Sequence, residues 1–432
     1  MMKLIAISVA SLLCVSMAVT SGLASEYTLK VFGNANMDEV IDEEDIEYVR
    51  GIIEGTNEVT QLADANYDDG IDEEDITQIE LIIAGEETEL TLIDMANRTV
   101  TVPRPIEKVV STALPCTRVI VALDGCDRLV GSEFSRTPGV PSISSTIGEL
   151  AFACNGDILE RVTNVGWGSD VNIELIVSLD PDVIIADKTT NHDVLQEKTG
   201  IPVVAGRYDG YYGGPEFYDQ IRLIGTILGK EDEAEDLTMY MKKKIAEVTD
   251  ITSVMSDSEK PIVYYAARDG GGMGGFTKTG YYDVIDLAGG INAAEECPTF
   301  DTYSEFDVSK EQIIMWNPDI ILLKCHSINP PSETQITVED VLGDPLLETV
   351  NAVKNGRVYY CSSTARGYPI QRYIQEIMYF AKLFHPEEFE ELNLEEEGNA
   401  VMMRFFGADG LYTWYADETG WLRGFIESQE EG

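Results

Sequence analysis

The sequence predicts an α/β protein with two lobes built on parallel sheets, a long helix that bridges the lobes, and a small all-α domain before them. Three observations lead to this prediction. From residue 89 onward, β-rich runs alternate with helical segments, as in parallel sheets covered by helices. A charged helical stretch at 231–257 divides this region into comparable halves. The preceding segment, 26–88, is much more acidic and contains an internal repeat.

Residues 1–25 have the pattern of a secretory signal peptide. Lys3 precedes an apolar run, and small residues around Ala24 offer a cleavage point. The run is also about long enough to span a bilayer, so an uncleaved N-terminal anchor is the alternative. In both cases we expect the mature chain outside the cytoplasm, secreted or at the cell surface.

The composition limits the classes of partner. The chain has 77 Asp and Glu residues against 30 Lys and Arg, a formal net charge of −47. Affinity for nucleic acid depends on clustered basic residues, so this balance argues against a nucleic-acid partner. A solvated surface or a salt-adapted host would explain it. Seven cysteines occur without a CxxC pair, and buried free thiols are the favoured state for most of those beyond the leader.

Segment 26–88 contains two copies of one pattern, an acidic loop followed by a short amphipathic helix. The copies begin at Asn34 and Asp64. In each predicted helix the apolar side chains share one face, formed by Ile46, Val49, Ile52 and Ile53 in the first copy and by Ile76, Ile79, Ile82 and Ile83 in the second. We therefore expect the two helices to pack on each other.

The spacing of oxygen-bearing residues in both loops predicts calcium sites. A calcium loop places ligands at positions 1, 3, 5, 7, 9 and 12 of a twelve-residue turn. In the second loop these positions hold Asp64, Asn66, Asp68, Gly70 (through its carbonyl), Asp72 and Asp75. In the first loop they hold Asn34, Asn36, Asp38, Val40 (through its carbonyl), Asp42 and Asp45.

One alternative to calcium is open. Position 6 of such a loop usually holds Gly in the left-handed conformation, but here it holds Asp69 and Glu39; Asp tolerates that conformation better than Glu. In the alternative, Asp42 and Asp72 are helix N-caps and the loops bind no metal. Capping does not account for the repeated asparagine at position 3, so we expect two calcium ions and no organic cofactor.

The paired loops, each followed by its helix, resemble a dockerin domain over about residues 32–86. The resemblance implies an EF-hand-like all-α domain that folds around two calcium ions. It also implies docking onto a cohesin-like module of a scaffold or surface protein.

The first lobe is predicted at 89–230. It opens with a hairpin in ELTLIDMANRTVTVP, where apolar and polar residues alternate around an Asn-Arg turn. The predicted strands that follow are KVVSTA, LVGSEF, DVIIAD and IPVVAG. The predicted helices are TRVIVALDG, NIELIVSLD and FYDQIRLIGTILG.

The bridging helix at 231–257 leads to the second lobe, predicted at 258–432. Its predicted strands are PIVYYAA, DIILLKC and RVYYCSS. Its predicted helices are YYDVIDLAGG, KEQIIMWNP and QRYIQEIMYFAKLF, followed by an acidic helical tail.

Three stretches resemble the substrate-binding proteins of ABC importers, in the helical-backbone family that serves iron–siderophore, haem and corrinoid compounds. They are TVTVPRPIEKVVS, NIELIVSLDPDVIIAD and FDVSKEQIIMWNPDIILLK. The order of elements agrees over about residues 90–400. The resemblance implies that each lobe presents a glutamate to arginines of the importer's membrane subunits, and the matching residues are Glu174 and Glu311. The alternative is that both are ordinary solvated helix acids.

We expect the ligand between the lobes, at the carboxyl ends of the strands. Three candidate contacts, Trp167, Tyr303 and Arg366, match loops that relatives use for a large, partly planar ligand. Three weaker candidates, Tyr212, Arg268 and Phe276, come from loop position alone. Packing or surface roles are the alternative for all six. Cys325 and Cys361 end two strands of the second lobe, where free thiols, a disulfide or a soft-metal contact are the alternatives.

The sequence thus predicts an extracytoplasmic receptor that binds a metal chelate and delivers it to an ABC importer, without catalysis. No nucleophile–base arrangement is visible. Two alternatives come from other classes. One is a surface interaction protein that docks to a cohesin-like scaffold through its calcium loops, and the other is a metal-cluster or redox protein.

Overall fold

The computed structural model describes residues 27–133, 153, 156, 158–166, 170–187, 190–207, 215–267, 273–297, 305–324, 336–361 and 370–419. The predicted leader at 1–25 lies outside these residues. Within the described part, no helix has the length and apolar character needed to cross a membrane.

The secondary structure follows the chain in four groups. The N-terminal group is α1 (Glu43–Ile53), α2 (Glu73–Ala84), β1 (Glu89–Ile93) and β2 (Thr99–Pro103). The first lobe has β3 (Val109–Ser111), α3 (Leu114–Ala122), β4 (Leu129–Ser132), α4 (Ile158–Arg161), β5 (Thr163–Asn164), α5 (Ile173–Leu179), β6 (Val183–Ala186), α6 (His192–Thr199), β7 (Val203–Ala205) and α7 (Pro215–Leu228). The bridging helix is α8 (Glu231–Thr252).

The second lobe contains β8 (Ile262–Ala266), α9 (Met273–Phe276), β9 (Lys278–Thr279), α10 (Asp283–Leu287), β10 (Ile291–Asn292), β11 (Phe306–Asp307), α11 (Lys310–Trp316), β12 (Ile320–Lys324), α12 (Val338–Leu342), α13 (Asn351–Lys354) and β13 (Val358–Cys361). It closes with α14 (Ile370–Phe384), α15 (Leu394–Phe406) and α16 (Leu411–Thr419).

Each lobe is built on a parallel sheet, which confirms the predicted two-lobed α/β class. The first sheet has the order β5-β4-β3-β6-β7 and the second β10-β8-β12-β13. Every pairing within these two sheets is parallel. The central strands β6 and β12 are buried almost throughout, because helices cover both faces of such sheets.

The bridging helix α8 packs on α7 of the first lobe and on α10 and α14 of the second. Its apolar face buries Leu237, Met241 and Val248. These side chains belong to one hydrophobic core that includes residues of both lobes. The two sheets are therefore connected through a shared helical core behind them.

The N-terminal module, residues 27–88, contains the two repeated helices. Each begins with a capping box, in which Asp42 and Asp45 serve α1 and Asp72 and Asp75 serve α2. The helices pack through a small core that includes Val49 and Ile79. The alternative capping role predicted for Asp42 and Asp72 is therefore present in the structure.

The N-terminal module is joined to the first lobe by backbone and side-chain contacts. Val31 forms an antiparallel bridge with Leu92, and the N–H of Phe32 donates to the carbonyl of Thr91 at 2.9 Å. The side chains of Val31 and Leu92 belong to the main core. The module thus shares a core with the lobe in addition to having its own.

Candidate functional site

The carboxyl ends of the two parallel sheets are the expected ligand site. Five of the six predicted ligand contacts lie outside the described residues and stay predictions: Trp167, Tyr303, Arg366, Tyr212 and Arg268. Parts of the cleft edge that belong to strand ends are described, and they show which side chains the folded chain brings there.

Phe276 is the sixth predicted contact, and the structure gives it a different role. Its side chain is fully buried in the second-lobe core. Its ring meets Tyr264 edge to face with 5.5 Å between centroids, and the Tyr264 hydroxyl donates to the Phe276 carbonyl at 2.6 Å. Phe276 is therefore corrected from a ligand contact to a packing residue, because an apolar ring beside a buried strand gains more from the core than from a wet loop.

Charged residues follow the strands of the first lobe. Asp187 comes directly after β6, Arg207 follows β7, and Arg207 Nη1 lies 2.8 Å from Asp187 Oδ2. Both side chains are partly buried. An anionic group of a ligand would compete with Asp187 for this guanidinium, which can donate two parallel hydrogen bonds.

Glu133, after β4, is held at the start of α3. Its Oε2 accepts from the N–H of Leu114 at 3.1 Å. The N-cap residue of α3 is Ala113, which has no side-chain acceptor. Because the helix N-terminus favours a negative charge, this nearly buried carboxylate takes the place of a side-chain cap.

Glu133, Asp187 and Arg207 were not among the residues predicted for the cleft. The signal that identifies them is a charged residue within two positions of a buried parallel strand. The ion pair between Asp187 and Arg207 was not predictable, because it depends on β6 and β7 being neighbours in the sheet.

The second-lobe edge rests on a buried aromatic and polar layer. Tyr265, in β8, stacks on Tyr282 with 4.7 Å between ring centroids. The Tyr282 hydroxyl donates a short hydrogen bond to the buried carboxylate of Glu376 on α14. Burial raises the pKa of Tyr282 well above its ordinary value, so its hydroxyl keeps its proton.

The described cysteines are of two kinds. Cys116, Cys297 and Cys361 are free thiols, and Cys126 is disulfide-bonded. Burial raises the pKa of Cys116, so it is a protonated thiol rather than a reactive thiolate. Cys325 lies outside the described residues. Within the described part, no group of three or more His, Cys, Asp or Glu side chains is placed to hold a metal ion.

The two predicted docking glutamates occupy equivalent places in the two lobes. Glu174 is the second residue of α5 and Glu311 the second residue of α11. Each helix is capped by a side chain, Asn172 in the first lobe and Ser309 in the second. Both helices are seven residues long and end in a left-handed residue.

The same equivalence extends to the turns after these helices. Asp180 and Asn317 are the left-handed residues, with φ of 52° and 45°, and a Pro-Asp pair follows each one. The aspartate of each pair accepts backbone hydrogen bonds. Asp182 accepts from the N–H groups of Glu107 and Lys108, just before β3, and Asp319 accepts from the N–H of Ile262, the first residue of β8. Both glutamates therefore lie on the same arrangement, a capped seven-residue helix followed by a left-handed residue and a Pro-Asp pair.

Both docking glutamates are exposed. Within the part of the chain that the structure describes, neither carboxylate has a hydrogen bond or an ion pair. A helix between parallel strands runs antiparallel to them, so its N-terminus lies at the carboxyl edge of the sheet. Helix α5 connects β5 and β6 of the parallel first sheet, so we expect Glu174 at the carboxyl edge of that sheet.

The two acidic loops of the N-terminal module differ in backbone conformation. In the second loop, position 6 is Asp69 with φ 72°, the conformation that a calcium loop needs there. In the first loop, Glu39 does not adopt it. Glutamate has no short side chain to stabilise the left-handed form, which explains the difference.

The side-chain oxygens of both loops accept backbone hydrogen bonds. Asp64 accepts from Asp68 and Asp69 at 3.0 Å each. Asp75 accepts from Asn66 at 3.2 Å and from Asp72 at 2.8 Å. The carboxylate, amide and carbonyl oxygens of the second loop are the donor types that a hard cation prefers.

Comparison with known proteins identifies the family. The profile of the family described as periplasmic binding protein matches residues 109–365. The cobalamin-binding protein of Halobacterium salinarum is 23% identical over 295 residues, which cover 68% of this chain and 73% of that protein. The Fe(3+)-citrate-binding protein YfmC of Bacillus subtilis is 27% identical over 239 residues, covering 54% and 72%.

A solved structure shows the same fold. The periplasmic protein MolA of Haemophilus influenzae, bound to molybdate, aligns with a TM-score of 0.55 at 19% sequence identity, covering 74% of this chain and 98% of MolA. The profile match spans both parallel sheets and the helices α5 and α11 that carry Glu174 and Glu311. The chain belongs to the periplasmic binding protein family.

Proposed function

We propose that this protein is an extracytoplasmic receptor that captures a metal chelate of the iron–siderophore, haem or corrinoid class between its lobes and delivers it to an ABC importer. The observation that carries the proposal is the exposed, unpaired glutamate at the same position of a matching helix in each lobe. Relatives named for cobalamin and ferric citrate support a chelate as the ligand.

The ligand class is tested by thermal unfolding of the purified chain with ferric citrate, a ferric siderophore, haem, cobalamin and molybdate. A ligand at one hundred times its Kd stabilises the folded state by about 2.7 kcal/mol. The midpoint should therefore rise by several degrees with at least one chelate. A shift with molybdate alone, or with no compound, contradicts the chelate assignment.

Delivery to an importer is tested with the charge-reversed double variant Glu174→Arg/Glu311→Arg. Membranes from cells that naturally make this protein should bind the labelled wild-type receptor. The double variant should bind to them much less, because two carboxylates that face arginines would be replaced by positive charges. Ligand binding should be unchanged. Equal membrane binding by both proteins contradicts the docking role.

We further propose that the N-terminal module binds calcium, more tightly in its second loop. Support comes from the left-handed Asp69 and from the oxygens of Asp64, Asn66, Asp68, Gly70, Asp72 and Asp75. When bound, calcium would replace hydrogen bonds within the loop by metal–oxygen bonds. Asp68→Ala should weaken the tighter site at least tenfold, and Asp38→Ala only the weaker one, as measured by calorimetric titration.

The exposed apolar side chains of the module support an attachment role. Ile53, Val59 and Tyr67 are exposed on a segment of about sixty residues, and exposed apolar groups that form a patch mark interaction sites. We propose a cohesin-like surface protein as that partner. Binding of a cohesin module to the intact chain, abolished by calcium chelation, would support this, and binding that ignores calcium would contradict it.

A further inference from the structure

The bridging segment 231–257 exposes Met239, Ile251 and Val254. Outside it, the exposed apolar side chains of the two lobes are concentrated around the docking helices α5 and α11. In the described parts of 89–230 and 258–419, the large exposed apolar residues are Val177, Val194, Met315, Leu342, Leu346 and Met403. All except Met403 lie on α5 or α11, or on segments beside them in the same lobe. Single exposed apolar residues are common on protein surfaces, but clusters mark interfaces.

In the first lobe, Val177 lies three residues after Glu174 on α5, so the two side chains share one face of the helix. Val177 is 46% exposed. Val194 is on α6, which packs on α5. The glutamate therefore has apolar neighbours on its own helix and on the adjacent one.

In the second lobe the apolar surface is larger. Met315 lies four residues after Glu311 on α11 and is 78% exposed. Lys310 Nζ lies 2.6 Å from Asp344 Oδ2, which ties α11 to the turn that carries Leu346. Leu346 is 62% exposed, and its N–H donates to Asp344 Oδ1. Lys310 is paired with Asp344 and so does not neutralise Glu311. Glu339 and Glu348 add exposed carboxylates on the segment that carries Leu342 and Leu346.

Because α5 and α11 can be aligned residue by residue, the side chains that differ between them can be identified. Counting from the N-caps Asn172 and Ser309, Met315 corresponds to Ser178. The second lobe thus carries a long apolar side chain where the first carries a small polar one. The charge is repeated in the two lobes, whereas the long apolar side chain at this position is not.

From this distribution, and resting on the proposed importer function, we infer that each docking glutamate is the centre of a mixed acidic and apolar patch, and that the second-lobe patch supplies most of the contact energy. The fitting partner is a membrane subunit that presents a basic side chain within an apolar surface. The carboxylates steer and orient the encounter, while burial of Met315 and Leu346 slows dissociation. The unequal patches would fix which lobe meets which subunit.

The inference is tested by competition between the labelled wild-type receptor and full-length variants for membranes of the producing cells. Met315→Ser, which copies the first lobe, and Leu346→Ser should each weaken binding about tenfold, and Val177→Ser about threefold. Met403→Ser is the matched control, since Met403 is 52% exposed but lies on α15, and it should bind as wild type. All four substitutions are at exposed positions, and thermal unfolding checks that each variant is folded.

Photo-crosslinkers placed at positions 177, 315, 346 and 403 identify the occupant. Adducts of 177, 315 and 346 with an importer membrane subunit, and none from 403, support the inference. Adducts with a second copy of this chain overturn it. Wild-type binding by Met315→Ser and Leu346→Ser, combined with loss in Glu174→Arg/Glu311→Arg, overturns the patch but leaves the importer function standing. If Glu174→Arg/Glu311→Arg also binds as wild type, both the patch and the importer function are overturned.

Discussion

At the residue scale, the clearest example of burial acting on chemistry is Asp283 in the second lobe. Its carboxylate accepts a hydrogen bond from the Tyr373 hydroxyl at 2.6 Å. Burial nevertheless raises the pKa of Asp283 to about 6, because the lost hydration outweighs the hydrogen bond. Asp283 lies on α10, which packs on the bridging helix and on α14, so its charge state affects the stability of the shared core.

This residue predicts a pH dependence of stability. Between about pH 4 and pH 6 the folded state keeps a proton on Asp283 that the unfolded chain has lost, so the free energy of unfolding falls as pH rises through this window and levels off above it. Asp283→Asn cannot ionise. Its stability relative to wild type should therefore improve by about 2–3 kcal/mol from pH 4 to pH 7, measured by urea unfolding.

The control for this prediction is Tyr373→Phe, which removes the donor that stabilises the ionised carboxylate. The loss of stability with rising pH should then be larger than in wild type. A difference between Asp283→Asn and wild type that stays constant from pH 4 to pH 7 would refute the explanation.

At the scale of elements, helices α5 and α11 both end in a left-handed residue, but different contacts hold the two ends. Asp180 is left-handed, and among the described residues its side chain has only an exposed ion pair with Lys108 at 3.2 Å. Asn317 is left-handed as well, but its Oδ1 accepts from the N–H of Asn351 at 2.9 Å. The first ending is a local turn, and the second also fixes a segment 34 residues away.

Glycine substitutions should separate these two roles. Asp180→Gly should stabilise the protein by about 0.5 kcal/mol, since glycine adopts the left-handed form without strain and an exposed ion pair contributes little. Asn317→Gly should destabilise it by about 1 kcal/mol, because the Asn351 N–H loses its acceptor. Thermal unfolding of both variants checks the prediction, and equal effects in the two would count against it.

At the scale of the whole molecule, the N-terminal module is held to the first lobe by a buried ion pair as well as by apolar contacts. Arg104 Nε donates to Glu87 Oε1 at 2.6 Å, and Arg104 Nη1 donates to the carbonyls of Thr226 and Ile227. Both charged side chains are largely buried. This arrangement links the end of the module, the β1–β2 hairpin and the end of α7.

Breaking this ion pair should loosen the module from the lobe. Arg104→Met leaves the Glu87 carboxylate buried without its cation and should lower the free energy of unfolding by about 3–5 kcal/mol. The double variant Arg104→Met/Glu87→Gln should recover part of that loss, because no unpaired charge then remains. Calorimetry should show one transition for the wild type. A separate early transition of the module in wild type would refute the tight junction.

The sequence by itself determined the features that depend on local pattern. The alternation of strands and helices, the bridging helix and the acidic repeat are readable from periodicity and composition. These features are local because a strand, a helix or a cap is specified within about one or two turns of chain. The matching of Glu174 with Glu311 came from the resemblance to a known family.

Only the tertiary structure decided which distant segments meet. The burial of Phe276, the pairing of Asp187 with Arg207 and the junction of Val31 with Leu92 each depend on neighbours far along the chain. The same is true of the exposure of Met315 and Leu346, since an apolar residue looks like a core residue until the packing around it is known. Burial and pairing are properties of the assembled layers, and local pattern does not contain them.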